Sequence, residues 1–177
     1  FRLLSHHPEA RERMEREIDQ VFGDSKGQTY DQLKKCEFVE ACILETLRLF
    51  PPVSIDAKTC LSDCVLPSGV QLRKGDLFYW MVCGVQRNPK YWSDAESFVP
   101  QRWIDKTDAA FKVHESKLPY YFPAFNAGPR MCLGKRMALT EVKNAIVAIS
   151  RRGLRFEMAN KEKDDLMSWE GMISAPV

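Results

Sequence analysis

The sequence has 177 residues, enough for one domain or for part of a larger one. Hydrophobic residues make up 45% and charged residues 28%, which excludes a disordered chain. A formal net charge of +2 is too small to indicate a nucleic-acid-binding protein, and no apolar run approaches the roughly eighteen residues of a membrane span. Because the sequence begins with Phe1 and lacks a signal-peptide pattern, we expect the true N-terminus and any targeting segment to precede it.

The first fifty residues predict helices. Apolar side chains recur on one face between Pro8 and Phe22, and proline suits a first helical turn. Thr29 and Gln32 have the spacing of a capping box. They predict a second long helix that continues until Pro51 and Pro52 stop it.

The middle of the chain predicts short strands and then an ordered loop. Between Ser54 and Val85, apolar runs separated by glycine-containing turns indicate strands. Residues 87–103 lack periodicity and are expected to pack through four aromatic side chains, Tyr91, Trp92, Phe98 and Trp103. A helical pattern returns from Gly134 to near Gly153, and residues 154–177 are expected to hold strands. The expected fold class is α+β, mainly α.

Six cysteines occur, at Cys36, Cys42, Cys60, Cys64, Cys83 and Cys132. Cys60 and Cys64 form a C-x3-C pair, one half of a possible zinc site. A second pair at ligand spacing is missing, and the three histidines are scattered. Without a secretory signal, free thiols are favoured over disulfides. We interpret all of them except Cys132 as structural thiols.

The stretch FNAGPRMCLGK places Cys132 between two glycines and ahead of a predicted helix. Gly128 and Gly134 allow a sharp bend or the close approach of a large flat partner. The helix dipole favours a thiolate at Cys132, and Arg130 is a permanent cation suited to a carboxylate. Phe125 is placed to pack over the sulfur and exclude water. A dry thiolate beside N–H donors is a good ligand for iron.

The pattern F-x-x-G-x-R-x-C-x-G in this stretch resembles the haem-binding motif of the cytochromes P450. Two further motifs resemble that family and follow its order: E-x-x-R at Glu45 and Arg48, and FVPQRW with Arg102. The resemblance covers essentially the whole chain. It implies the C-terminal portion of the P450 fold, with haem b as the cofactor and Cys132 as the ligand of its iron.

The resemblance also implies a structural triad of Glu45, Arg48 and Arg102 that holds the cysteine loop without being catalytic. Residues three apart share a helix face, and a buried carboxylate between two arginines must be fully hydrogen-bonded. By its distance after the double proline, Lys58 corresponds to a basic position that often meets a haem propionate. A solvated lysine is the alternative.

The activity implied is that of a monooxygenase, which inserts one atom of O2 into a C–H bond and releases the other as water. Electrons would come from NADPH–cytochrome P450 reductase, and Lys135 and Arg136 would steer its docking. Lys143, Arg151 and Arg152 lie on or just after the same helix. A solvated helix face is the alternative for all of these basic residues, and we expect it for Arg151 and Arg152. The resemblance further implies an endoplasmic reticulum membrane protein.

For the substrate, the sequence most resembles eukaryotic subfamilies that hydroxylate fatty acids. Two segments, 53–57 and 169–173, are expected to line the pocket, although Asp56 does not fit a lipid-lined wall. Other lipids, steroids and xenobiotics remain open. We expect the distal oxygen-activating helix and the membrane anchor to lie outside this chain. The alternative is a truncated, catalytically silent haem-binding or scaffold fragment, whereas a cysteine nucleophile lacks a base in register.

Overall fold

A computed structural model describes residues 1–114 and 117–156, together with the backbone of residues 167–170 and 173–176. The expected class, α+β and mainly α, is confirmed. The helices are α1 Arg2–His6, α2 Pro8–Phe22, α3 Tyr30–Lys35, α4 Glu37–Leu49, α5 Val82–Gln86, α6 Arg102–Asp105, α7 Leu118–Tyr121 and α8 Lys135–Ser150. The strands are β1 Ile55–Thr59, β2 Cys64–Val65, β3 Gln71–Leu72, β4 Leu77–Met81, β5 Met167–Glu170 and β6 Ile173–Pro176.

The helices of the N-terminal part differ from the sequence expectation at one place. The capping box is confirmed, with the N–H of Gln32 donating to Thr29 Oγ1 at 3.3 Å. The second helix, however, is two helices, because Cys36 leaves the helical region at φ −82° and ψ 77°. The carboxylate of Glu17 accepts from the N–H groups of Phe38 and Val39 at 2.8 and 2.9 Å, which satisfies the first turn of α4. Such a cap comes from α2, so local sequence does not reveal it.

The strands form antiparallel pairs, β1 with β4, β2 with β3 and β5 with β6. Strands in the tail were therefore predicted correctly, but the expectation of strand up to Val85 is wrong. Residues 82–86 form α5, which brings the fully buried Gln86 to the end of α4. There Gln86 Nε2 donates to the carbonyls of Leu47 and Arg48 at 2.9 and 3.0 Å. These bonds satisfy carbonyls that a helix end leaves free.

Two groups of buried apolar side chains make up the interior. The first lies between α2, α4 and α8 and includes Ile18, Val39 and Val147, all with 0% exposure. The second, which we call the aromatic cluster, comprises Trp92, Trp103, Phe111 and Phe122 with Ala95 and Ala110. Trp92, which is fully buried, and Trp103 are two of the four aromatic residues that the sequence assigned to an ordered loop. Tyr91 packs against this cluster, whereas Phe98 belongs to the first group.

Within the described residues, no helix is both long enough and apolar enough to cross a bilayer. The pocket-lining role expected for residues 169–173 falls on side chains outside the described part of the chain.

Candidate functional site

The carboxylate of Glu45 lies at the centre of a buried hydrogen-bonded group. Arg48 donates to both of its oxygens, each at 2.9 Å, in a bidentate pair. Arg102 Nε donates to Oε1 at 3.1 Å, as does the N–H of Val99 at 2.9 Å. Trp103 Nε1 donates to Oε2 at 2.9 Å. Glu45 and Arg48 are 0% exposed and Arg102 is 4% exposed, so this carboxylate exchanges water for five protein donors.

Arg48 also binds the segment that runs beneath the helix. Its Nη1 donates to the carbonyls of Gln86 and Ala95 at 2.9 and 2.6 Å, and its Nη2 to that of Ser97 at 2.9 Å. The guanidinium therefore uses all its nitrogens on one carboxylate and three backbone carbonyls. It fixes residues 86–97 against α4.

A second buried carboxylate, Asp108, completes the group. Arg102 Nη1 donates to it, and so do the N–H and hydroxyl of Ser93. Burial favours the neutral acid, but the hydrogen bonds from Ser93 and the Arg102 guanidinium outweigh it and lower the pKa of Asp108.

We refer to Glu45, Arg48, Arg102 and Asp108 as the charge cluster. Its two carboxylates balance its two guanidinium groups, so the buried group is formally neutral. A buried ion pair rarely adds net stability over apolar residues, yet losing one partner is costly. The geometry of the charge cluster therefore fits a structural role, in which it fixes the neighbouring segments against α4.

The charge cluster is joined to the cysteine loop through aromatic rings. Trp103, whose indole N–H binds Glu45, has its ring centroid 4.7 Å from that of Phe122. Phe122 is buried and directly precedes the 3-10 turn Pro123–Phe125, where the cysteine loop begins. A displacement of Trp103 would therefore reach the loop through packed rings.

The cysteine loop, residues 125–134, is closed by its own backbone. The N–H of Cys132 donates to the carbonyl of Phe125 at 2.8 Å. Gly128 has φ 63°, and a Cβ on it would lie 3.2 Å from the hydroxyl of Tyr120. The bend expected at this glycine is therefore present, and a side chain there would be strained.

The expectation of a special bend does not hold at Gly134. Its φ is −81°, a value that any residue adopts, and it is the residue before α8. A Cβ there would lie 4.0 Å from Cys132 Sγ, an ordinary contact. The absence of a side chain at Gly134 leaves free space beside the sulfur of Cys132.

Cys132 is exposed, unlike the cysteines of the core. Met131 and Leu133 on either side are 45% and 102% exposed, so the sulfur lies on an apolar surface. By contrast, burial raises the pKa of Cys36 to about 11 and that of Cys42 to about 12, with the charge of Glu17 adding to both. These two thiols are inert, as their structural interpretation requires.

Asp56, which did not fit a lipid-lined wall, bonds to the cysteine loop instead. Its Oδ2 accepts from Asn126 Nδ2 at 2.9 Å, while Asn126 Oδ1 accepts from the N–H of Ala127 at 2.9 Å. Asn126 has φ 62°, a value that asparagine tolerates better than most residues. Strand β1 thus holds the loop through a bond separate from its closure between Phe125 and Cys132.

The remaining predicted site residues lie on β1 and within the cysteine loop itself. Lys58 is exposed and shares a face of β1 with Asp56, and its Nζ lies 5.5 Å from the ring centroid of Trp80. Arg130 is exposed and makes no ion pair within the described ranges. Phe125 is half-buried, and Lys135 Nζ lies 5.7 Å from its ring centroid.

The basic face of α8 is only partly solvated. Arg136 and Arg152 are exposed, but Lys143 is 5% exposed and donates to Glu40 at 2.6 Å and to the carbonyl of Leu33 at 3.1 Å. Arg151 binds the carbonyls of Ser25 and Gly27. The expectation of a solvated face is therefore wrong for Arg151, and the alternative of a solvated face does not hold for Lys143. Both side chains bind the N-terminal part of the chain.

An open groove of about 700 Å³ lies between α4, α6 and the start of α8. Apolar side chains form its floor, among them Leu44, Trp103, Phe111 and Phe122, and three lysines and two glutamates line it, Lys34, Lys106, Lys135, Glu37 and Glu40.

The sequence did not reveal Asp108 as a member of the site, the bond of Trp103 to Glu45 or the Asp56–Asn126 bond. Trp103 directly follows Arg102 in the sequence. Because a buried indole N–H needs an acceptor, its position beside the arginine of the predicted triad could have indicated a further donor to Glu45. Asp108 lies in an irregular stretch whose path local sequence does not fix. The partner of Asp56 is 70 residues away, so no spacing rule finds it.

Comparisons with known proteins agree with these motifs. A family model for cytochrome P450 matches residues 1–176. Cytochrome P450 94C1 of Arabidopsis thaliana is 34% identical over 181 residues, covering 100% of this chain and 36% of that protein. Cytochrome P450 4F6 of Rattus norvegicus is 34% identical over 163 residues, with 91% and 29% covered, and cytochrome P450 4V2 of Homo sapiens is 32% identical over 172 residues, with 97% and 31% covered.

The chain thus spans about a third of the length of the curated relatives that it matches. The family model, in contrast, matches nearly every residue of the chain itself. With this match and the motifs at Glu45, Arg102 and Cys132, the chain belongs to the cytochrome P450 family.

Proposed function

We propose that the protein is a haem-thiolate monooxygenase and that Cys132 is the protein ligand of the haem iron. The observation that carries this proposal is an exposed thiol on a loop that the charge cluster, the aromatic cluster and strand β1 all help to position. Membership in the cytochrome P450 family supports monooxygenase chemistry at the level of the family.

The residues present fit one face of a haem. A haem bound here would need one protein donor to its iron, and the exposed sulfur of Cys132 would be a suitable one. Met131 and Leu133 provide apolar surface next to the sulfur. Gly134 leaves the space beside it free of a side chain. Arg130 and Lys58 are exposed cations suited to the two propionates of haem b.

Bound haem supplies the chemistry, which is the activation of O2 and the transfer of one oxygen atom to a C–H bond. The chain supplies position and electrostatics. The hydrogen bond that closes the loop, from the N–H of Cys132 to the carbonyl of Phe125, holds the backbone that carries the sulfur just ahead of α8. Glu45, a positioning residue in this proposal, holds the aromatic rings on which the loop rests.

For the electron donor, we propose an acidic flavoprotein of the NADPH–cytochrome P450 reductase type. Arg136 is exposed at the start of α8, and Lys135 lines the groove beside it. Cations at a rim accelerate association and make it dependent on salt. Endoplasmic reticulum membrane attachment follows from the family resemblance and belongs to the same proposal.

For the substrate, we propose a fatty acid or similar lipid. Val53 is 40% exposed beside the half-buried Ile55 and Ala57, which offers apolar surface after the double proline. Asp56, the one residue of this stretch at odds with a lipid, is bonded to Asn126 and does not need to face a substrate. Product analysis after incubation with a series of fatty acids tests this part separately from haem ligation.

The test of Cys132 is spectroscopic. The full-length protein, reduced and exposed to carbon monoxide, should give the long-wavelength band of haem-thiolate proteins. Cys132→Ser should abolish that band, whereas Cys64→Ser, which removes another exposed thiol, should leave it unchanged. If Cys132→Ser keeps the band, the assignment is wrong.

We also propose that these 177 residues alone do not turn over substrate. This proposal corresponds to the alternative of a catalytically silent fragment. The chain spans only about a third of the length of the curated relatives that it matches. Oxygen transfer needs a dry site and a proton donor within hydrogen-bond reach. Reconstitution with haem, reductase, NADPH and a fatty acid should yield peroxide. Tight coupling to hydroxylated product would refute the proposal.

A further inference from the structure

Two cysteines outside the haem site face each other at the surface. Cys60 Sγ and Cys64 Sγ are 3.6 Å apart, and both thiols are free. Cys64 is exposed and Cys60 is half-buried. No other contact between two cysteine sulfurs occurs in the described residues, and neither thiol has a role in the proposed haem chemistry.

The backbone under these thiols is held in place. The N–H of Cys60 donates to the carbonyl of Asp76, and the carbonyl of Cys60 accepts from Gly75, both at 2.8 Å. Lys74 donates its N–H to Asp63 Oδ1 at 2.8 Å. Cys64 is fixed in β2, where it pairs with Leu72. The corner between β1 and β2 is thus bonded to the segment that leads into β4.

A fixed corner lets the two sulfurs meet by side-chain rotation. A disulfide is about 2.05 Å long, so sulfurs at 3.6 Å have to approach by about 1.5 Å. A rotation about the Cα–Cβ bonds covers a movement of this size. The Cys60 thiol also bonds the carbonyl of Ser62 at 2.9 Å, a contact that the bridge would replace.

We propose that Cys60 and Cys64 are a redox modification site that forms a reversible disulfide with a peroxide as the oxidant. Cys64 is the more exposed sulfur and reacts first. Its thiol gives up a proton, the sulfur attacks one oxygen of hydrogen peroxide and the O–O bond breaks; a sulfenic acid forms, and the departing hydroxide takes up that proton and leaves as water. The sulfur of Cys60 then attacks that of Cys64, and the S–S bond forms as a second water leaves. Two thiols are oxidised and one peroxide is reduced to two waters.

The other described thiols do not offer this reaction. Cys36 and Cys42 are buried, and Cys132 is the proposed iron ligand. Cys83 is half-buried and has no sulfur partner among the described residues. In a reducing compartment an exposed disulfide is transient and reports oxidation, whereas a structural one is rare. The bridge would close the chain directly after Lys58 and Thr59, at the end of β1 nearest the corner.

The sequence provides a direct assay, because trypsin cleaves after Lys58 and after Arg73. One peptide, residues 59–73, then contains both thiols. Full-length protein is treated with hydrogen peroxide, alkylated with iodoacetamide, digested and analysed by mass spectrometry. We expect this peptide to lose two hydrogens and both alkylation sites, and dithiothreitol to restore them. Hydrogen exchange at the backbone of residues 60–64 should slow in the oxidised protein.

Variants distinguish the pair from two independent thiols. Cys60→Ser should leave a sulfenic acid on Cys64 that dimedone traps, and Cys83→Ser should leave the disulfide unchanged. The proposal is overturned if peptide 59–73 stays fully alkylated while Cys83 is oxidised. It is also overturned if Cys60 and Cys64 are each driven to sulfinic acid without a bridge. Neither outcome bears on Cys132 as the iron ligand.

Discussion

Replacing Glu45 with alanine removes the common acceptor of the charge cluster. Five donors lose their partner at once: two nitrogens of Arg48, one of Arg102, the indole of Trp103 and the N–H of Val99. Arg48 keeps three carbonyl acceptors and Arg102 keeps Asp108. The buried group changes from neutral to a formal charge of +1.

Breaking a buried ion pair by removing one partner costs about 3–5 kcal/mol, because the other charge stays buried without compensation. With a urea dependence of about 2 kcal/mol/M, the unfolding midpoint should fall by about 1.5–2.5 M. Domains are stable by only about 5–15 kcal/mol, so we expect the variant to fail in haem retention. Its effect should reach the cysteine loop through Trp103 and Phe122.

The assay is urea unfolding of the full-length protein, together with the ratio of haem absorbance to protein. Glu45→Gln keeps the shape and removes the charge, and we expect it within about 1 kcal/mol of Glu45→Ala because its NH2 group would face N–H donors. Glu37→Ala, an exposed position in the first turn of the same helix, should cost less than about 1 kcal/mol.

Three results would contradict this reasoning. A haem-loaded, stable but inactive Glu45→Ala protein would point to a chemical role for Glu45. A Glu45→Gln protein as stable as the wild type would show that shape, and not charge, holds the cluster together. A loss in Glu37→Ala equal to that in Glu45→Ala would assign the effect to the helix and not to the buried carboxylate.

Three further predictions concern the loop and its supports. Gly128→Ala should destabilise the protein by about 1–2 kcal/mol because of its positive φ, and Tyr120→Phe should relieve part of the loss, as urea unfolding can measure. A double-mutant cycle of Asp56→Ala and Asn126→Ala should give a coupling energy of about 1 kcal/mol. The pKa of Asp108 is lowered below its ordinary value of 3.8, so its contribution to stability is present above that pH and is lost as the pH falls through the lowered pKa. Asp108→Asn should therefore flatten the loss of stability on acidification, measured by unfolding at a series of pH values; an unchanged acid profile would contradict it.

Sequence alone anticipated the elements whose patterns are local. The helix Pro8–Phe22 and the capping box at Thr29 follow from periodicity and cap chemistry within a few residues. The break at Cys36 did not follow, because the carboxylate that caps the next helix belongs to Glu17 on another helix. Residues 82–86 read as strand by composition and became helix, since burial of Gln86 against the end of α4 outweighs local propensity.

The contacts of the candidate site likewise divide into those that sequence spacing predicts and those that it does not. Glu45 and Arg48 share a helix face at a spacing of three, so their pairing was predictable from the sequence. A solvated position was the alternative for Lys143, but its side chain binds Glu40 on α4 and the carbonyl of Leu33 on α3. Asp108 and Asn126 bond to partners whose positions depend on loop paths, and no short-range rule gives those paths.

The cysteine loop exposes its central residues, Met131 to Leu133, and this explains why its supports come from other parts of the chain. A ligand loop has to leave one face open to a large flat group, so Cys132 and its neighbours are exposed and contribute little packing energy. Contacts with other segments of the chain must therefore fix the position of the loop. Trp103 and Phe122 transmit the rigidity of the charge cluster to its first residues, and the Asp56–Asn126 bond fixes the next turn to β1. Substitutions at these supports should therefore alter haem retention without touching the sulfur.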